Sequence, residues 1–273
     1  VSARQHGPAP QDGPPSDPRP SPTPCLEAHG AGFTIDGARL LEDVSFTASP
    51  GELVAMVGPN GAGKSTMLAL LAGDLVPTTG EVTLAGIAPH RWTAKALARE
   101  RSVMTQQHGQ AFSFTVRELV EMGRAPHDAS DEDDEIVAAA LVDAEIADLA
   151  ERDVTTLSGG ELARTVFART LTQSAAIVLL DEPTAPLDLR HQELLMQRAR
   201  ELADEGRCVL VVLHDLSLAA RFCDRVAMFS AGRLAALGAP ESVLTPERIE
   251  DVYRQKVAVL AHPVTGRPLV VPV

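Results

Sequence analysis

Gly58-Pro59-Asn60-Gly61-Ala62-Gly63-Lys64-Ser65 is a G-x-x-x-x-G-K-S phosphate loop, and Thr66 follows it directly. Ahead of it, Glu52-Leu53-Val54-Ala55-Met56-Val57 reads as a short buried strand. Behind it, Ser65-Thr66-Met67-Leu68-Ala69-Leu70-Leu71 reads as the opening of an apolar helix. A phosphate loop requires that strand-to-helix setting. The glycines let backbone N–H groups turn inward around phosphates, and the helix N-terminus adds partial positive charge. Lys64 has the reach for the β and γ oxygens, and the Ser65 hydroxyl suits Mg²⁺. The stretch therefore points to a nucleoside triphosphate.

Two further segments narrow the choice. Leu157-Ser158-Gly159-Gly160-Glu161 lies shortly before Ile177-Val178-Leu179-Leu180-Asp181-Glu182, an apolar strand ending in two carboxylates. Phosphoryl transfer to water needs the γ-phosphate held, its developing charge spread, and a water aimed in line. Asp181 at the strand end suits a magnesium-orienting carboxylate, and Glu182 beside it is placed to polarise the attacking water. In this order the motifs resemble the nucleotide-binding subunits of ATP-binding cassette (ABC) transporters, from about Leu26 to the C-terminus.

The resemblance implies an α/β fold: a phosphate-loop ATPase core, a mixed sheet with an antiparallel β edge, and an inserted helical lobe. It implies ATP and Mg²⁺ as ligands. It makes His214, after the strand-like run from Cys208 to Leu213, the switch histidine that contacts the γ-phosphate. Gln106, within Met104-Thr105-Gln106-Gln107-His108, matches the glutamine that senses Mg²⁺ and couples the site to a permease. Gln106 is preferred to the adjacent Gln107 because residues 112–116 then fall into step with related importers. Ser158, Gly159 and Gly160 would cap the γ-phosphate held by a second copy's phosphate loop, so a head-to-tail homodimer is expected. Asp188 is retained from the family's post-strand loop and joins the ATP-binding set. Three positions depart from the pattern: Ile35 stands where an aromatic often stacks on adenine, Pro186 stiffens Ala185-Pro186-Leu187-Asp188, and Leu162 replaces a common glutamine.

Composition sets the outer bounds. At 273 residues and 45% hydrophobic content, the chain can bury one large core or two unequal lobes. Cys25, Cys208 and Cys223 show no C-x-x-C spacing, which argues against a disulfide framework or a cysteine metal site and for a reducing compartment. A net charge of −13 opposes nonspecific attachment to nucleic acid, and no nucleic-acid partner is expected. No apolar run reaches membrane-spanning length and no leader pattern is visible, so a peripheral position on the cytoplasmic face of the membrane is expected, through integral permease subunits.

Along the chain, residues 1–24 are proline-dense and read as a disordered tail, with 25–273 forming the ATPase domain. Gly32-Phe33-Thr34-Ile35 and Val44-Ser45-Phe46-Thr47 alternate as antiparallel strands, and Val82-Thr83-Leu84 is another strand. From about 89 to 168 the pattern is helical with no strong strand run, including helices over 116–122 and 136–150. The acidic run 128–135 precedes the second of these, where carboxylates meet the positive helix end. The core then resumes with strands at 177–180 and 208–213 around a helix over 188–202, strands at 226–229 and 234–237, and a helix start at Thr245-Pro246-Glu247.

The wording within the lobe is more specific. Phe114-Thr115-Val116-Arg117-Glu118-Leu119-Val120-Glu121-Met122-Gly123-Arg124 is similar to importers of iron chelates, heme and cobalamin. Asp188-Leu189-Arg190-His191-Gln192 and His214-Asp215-Leu216-Ser217-Leu218-Ala219-Ala220-Arg221 most resemble the ATPase subunits of heme (hemin) importers. The implied function is to power heme uptake, with a substrate-binding protein as an indirect partner. A ferric-siderophore or cobalamin importer is the alternative, and a soluble non-transport ABC ATPase ranks below it.

Overall fold

The computed structural model describes residues 25–105 and 113–273. The tail 1–24 and Gln106 lie outside the described residues. The chain opens with a long hairpin. β1 (Leu26–Ile35) and β2 (Ala38–Ala48) pair antiparallel across Asp36 and Gly37, whose positive φ values give the turn its hairpin twist. β3 (Leu53–Val57) is buried at every position, leads through the phosphate loop into α1 (Lys64–Ala72), and β4 (Thr79–Leu84) then returns to pair with β1. The resulting small sheet has the order β2-β1-β4.

α2 (Ala94–Glu100), capped by the Thr93 hydroxyl, runs directly into β5 (Arg101–Met104), which pairs parallel with the later strand Ile177–Asp181. This strand corrects the reading of 89–168 as helix alone. Four residues with only Ser102 and Met104 buried are too short to show a period of two. Next come α3 (Val116–Glu121), closed by a Thr115/Glu118 capping box, α4 (Asp133–Asp143) and α5 (Gly159–Thr172). The expected helix over 136–150 also needs correction. α4 ends at Asp143 because Glu145 takes φ +52°, with Glu145 N–H donating to Val142 O and Ile146 N–H to Leu141 O, both at 2.9 Å. Only a single 3₁₀ turn, Ala147–Leu149, follows.

Strand and helix then alternate through β6 (Ile177–Asp181), α6 (Leu189–Asp204), β7 (Cys208–Val212), α7 (Leu216–Phe222) and β8 (Arg225–Ser230), with β9 (Arg233–Gly238) turning back antiparallel. The large sheet has the order β5-β6-β7-β3-β8-β9, parallel except for β9. α8 (Pro240–Val243), α9 (Pro246–Tyr253) and a hairpin of β10 (Val257–Ala261) with β11 (Pro268–Pro272) complete the chain.

The central strands are covered on both faces. Leu53, Ala55 and Val57 join Val178, Leu180 and Phe167 in a core beneath the helices, while Val54, Met56 and Phe229 pack on α1 and the small sheet. Full burial of each such side chain contributes about 1.5–3 kcal/mol, which fixes β3, β6 and β7 side by side. Their carboxyl ends open on one edge, the place where parallel sheets present ligands. Among the described residues, no helix is long and apolar enough to cross a membrane.

Candidate nucleotide site

The phosphate loop is moulded by its neighbours. Gly58 has φ +147°, and a Cβ there would fall 2.4 Å from the carbonyl oxygen of Phe229 in β8, so only glycine fits. The turn between β8 and β9 secures the other side: Gly232 N–H donates to Ala62 O at 3.1 Å, and Glu42 N–H of β2 donates to Gly232 O at 2.8 Å. The small sheet is thereby tied to the loop. A cleft of about 320 Å³ results, lined by Leu40, Asn60, Gly61, Ala62, Gly63, Lys64, Ser65, Thr66 and Glu182.

Lys64 is only 5% exposed, and its ammonium donates to Gly58 O at 2.7 Å and Pro59 O at 3.1 Å. Burial pulls its pKa down, while the nearby carboxylates of Glu182 and Asp181 oppose that shift. A buried cation held by neutral carbonyls and facing two acids is well placed to meet phosphate oxygens. Asp181 is perturbed in the complementary sense: desolvation, and then the charge of Glu182, raise its pKa against the pull of Lys64 and His214. Its Oδ1 is buried and has no hydrogen-bond partner among the described residues. An orphaned carboxylate oxygen at this place fits a divalent cation. The described residues hold no cluster of three acidic, histidine or cysteine side chains that would form an all-protein cage.

Glu182 holds φ +48°, a left-handed conformation that is strained for a residue with a Cβ. Its Oε1 lies 2.5 Å from His214 Nε2. His214 is delivered by the extension of β7, where Leu213 N–H donates to Met56 O at 3.1 Å, and Asp215 then caps α7. Loop, acid pair and histidine thus converge from three adjacent strands.

Other candidate residues lie outside this cleft. Ser158 caps α5, with its hydroxyl accepting from Glu161 N–H and the Glu161 carboxylate accepting from Ser158 N–H at 2.7 Å; Gly159 and Gly160 form the first turn. Asp188 caps α6, accepting from His191 N–H at 2.9 Å. Ile35 is 49% exposed at the hairpin tip, whereas Phe33 is buried in β1 and its ring is unavailable to a base. Leu40 was not visible as a site residue, because only the packing of β2 on the loop brings it to the cleft.

The match to the ABC transporter family model spans residues 41–185. The chain belongs to the ABC transporter ATP-binding family. The cassette is 51% identical over 238 residues to a hemin import ATP-binding protein of Nocardia farcinica, covering 86% of this chain and 83% of that one. It is 46% identical to the hemin import ATP-binding protein of Streptomyces coelicolor, covering 94% and 95%. A dimeric bacterial ABC transporter cassette superposes with a TM-score of 0.71 at 28% identity, covering 79% of this chain and 98% of the other. An ABC transporter in an inward-facing conformation gives a TM-score of 0.78 at 23% identity, which shows the shared fold.

Proposed function

We propose that this cassette is the ATP-hydrolysing subunit of an importer that carries heme, acting as a homodimer at the cytoplasmic face of a membrane beneath integral permease subunits. The observation that carries the hydrolytic reading is the Glu182–His214 contact at 2.5 Å, at the strand edge beside the phosphate loop. Gly58, Pro59, Asn60, Gly61, Ala62, Gly63, Lys64, Ser65 and Thr66 cradle the phosphates, with Lys64 turning from the loop carbonyls to the β and γ oxygens. Glu182 accepts the proton of the attacking water as its oxygen bonds to the γ-phosphorus and the β–γ bridge breaks. His214 orients the Glu182 carboxylate and meets the γ-phosphate. Asp181, Ser65 and Gln106 would hold Mg²⁺, which would supply charge neutralisation for the phosphates. Ser158, Gly159, Gly160 and Asp188 serve the nucleotide of the second copy, which is why they stand outside this chain's own cleft.

The cargo assignment is supported by the hemin import relatives. Relatives named for cobalamin import, 44% identical and covered over 63% of their length, support the second reading. Growth of a strain lacking the gene decides between them. Failure on heme as sole iron source, restored by wild type and not by Glu182→Gln, supports heme; normal growth on heme with failure on a ferric siderophore or loss of cobalamin uptake overturns it.

A further inference from the structure

We infer that Glu145 is a positioning residue for hydrolysis, acting from outside the cleft by holding the Ser158 segment and the Asp188 loop in a fixed relation. The inference rests on the dimeric ATPase reading above, in which both segments face the second copy's nucleotide. Glu145 stands at φ +52° beyond the end of α4, a position where glycine or asparagine is the usual occupant. A glutamate there carries backbone strain that its side chain must justify. Its carboxylate takes a two-pronged bond from Arg190, at 2.5 and 2.7 Å, with His191 Nε2 4.0 Å away. His191 Nδ1 in turn lies 2.7 Å from Asp188 Oδ1.

The backbone of the same residue reaches the other segment. Arg164 donates to the carbonyls of Glu145 at 2.6 Å and Ala144 at 3.3 Å. Arg164 lies one turn after Glu161, the acid that closes the Ser158 cap. One residue is therefore joined through its backbone to the helix headed by Ser158, and through its side chain to the helix headed by Asp188. The two segments also touch directly, since a Cβ on Gly160 would come within 3.3 Å of Pro186 O. The Arg190 side chain is two-thirds exposed, and ion pairs so exposed add little to folding. Keeping a strained glutamate for so small a gain in stability points to geometry as its use.

A double-mutant cycle on the full chain tests this. Glu145→Gln and Arg190→Gln are each expected to lower kcat roughly three- to tenfold with the KM for ATP little changed, and the double variant to be no worse than either single. Glu145→Gly separates this role from a structural one: it relieves the backbone, so Tm is expected at or above wild type while kcat falls as in Glu145→Gln. A second ion pair between α4 and α6, Arg198 with Asp143 at 3.0 Å, is left untouched in every variant. Additive losses, wild-type rates in the single variants, or a Glu145→Gly chain with unchanged kcat overturn the inference. A wild-type chain without ATPase activity overturns the reading beneath it, whereas an active wild type with an additive cycle overturns the inference alone.

Discussion

Replacing Glu182 with glutamine removes one charge and leaves the shape of the site in place. Glutamine matches the side chain in size and can still bond His214, so the 2.5 Å contact relaxes without opening a cavity. The left-handed backbone at this position is equally strained in both chains. Two electrostatic changes offset each other: His214 loses a charged neighbour, while Asp181 loses the like charge that helps raise its pKa. With His214 48% exposed, the pair is screened, and the net change in stability is expected within about 1 kcal/mol. Chemistry is affected far more. Loss of a general base costs roughly 10²–10⁴ in rate, or about 3–5 kcal/mol at the transition state. Phosphate release should therefore fall by that factor with Tm nearly constant, while a fluorescent ATP analogue binds at least as tightly and light scattering detects an accumulated dimer with ATP and Mg²⁺. A variant that hydrolyses ATP at the wild-type rate, or that loses nucleotide affinity in step with activity, refutes the role given to Glu182.

Asp181 gives a pH-dependent prediction. Its folded pKa is raised above the ordinary value of 3.8, so the folded state binds its proton more tightly than the unfolded state does. The stability this contributes is fully present below 3.8 and is lost as pH rises through the raised value. At neutral pH, Asp181→Asn should raise Tm while abolishing hydrolysis, and the Tm advantage should vanish in acid; thermal melts across pH check both. Gly58→Ala forces a Cβ to 2.4 Å from Phe229 O at a φ of +147°. It should cost about 2 kcal/mol or more, roughly 4–8 °C in a thermal melt. Gly232→Ala brings a Cβ to 2.8 Å from Leu40 O at φ +78°, and Leu40 lines the cleft. Steady-state kinetics should show a several-fold higher KM for ATP with kcat largely retained.

What was legible in the sequence is what local chemistry dictates. The phosphate loop needs its glycines at fixed spacing, β6 announces itself by an apolar run ending in Asp181 and Glu182, and Ser158 with Glu161 and Thr245 with Pro246 mark helix starts by capping alone. Features set by packing were less legible. β5 is a strand because its neighbour β6 offers a free edge, not because Arg101, Ser102, Val103 and Met104 favour one. The β10–β11 hairpin carries Val257, Val259 and Val270 against the main core, contacts that no local pattern announces. The stop of α4 depends on a left-handed glutamate, which sequence reads as a good helix former. Leu40 reaches the cleft only through the tie between β2 and Gly232.

In the proposed function, ATP is split at a site completed by two copies of the chain. The most direct measurement is phosphate release by the purified protein with ATP and Mg²⁺, taken over a wide range of protein concentration and repeated with Lys64→Ala. Activity per chain that climbs with concentration to a plateau, and that is absent from Lys64→Ala, is the predicted result. Activity per chain that is independent of concentration down to nanomolar protein, or that survives in Lys64→Ala, would contradict it.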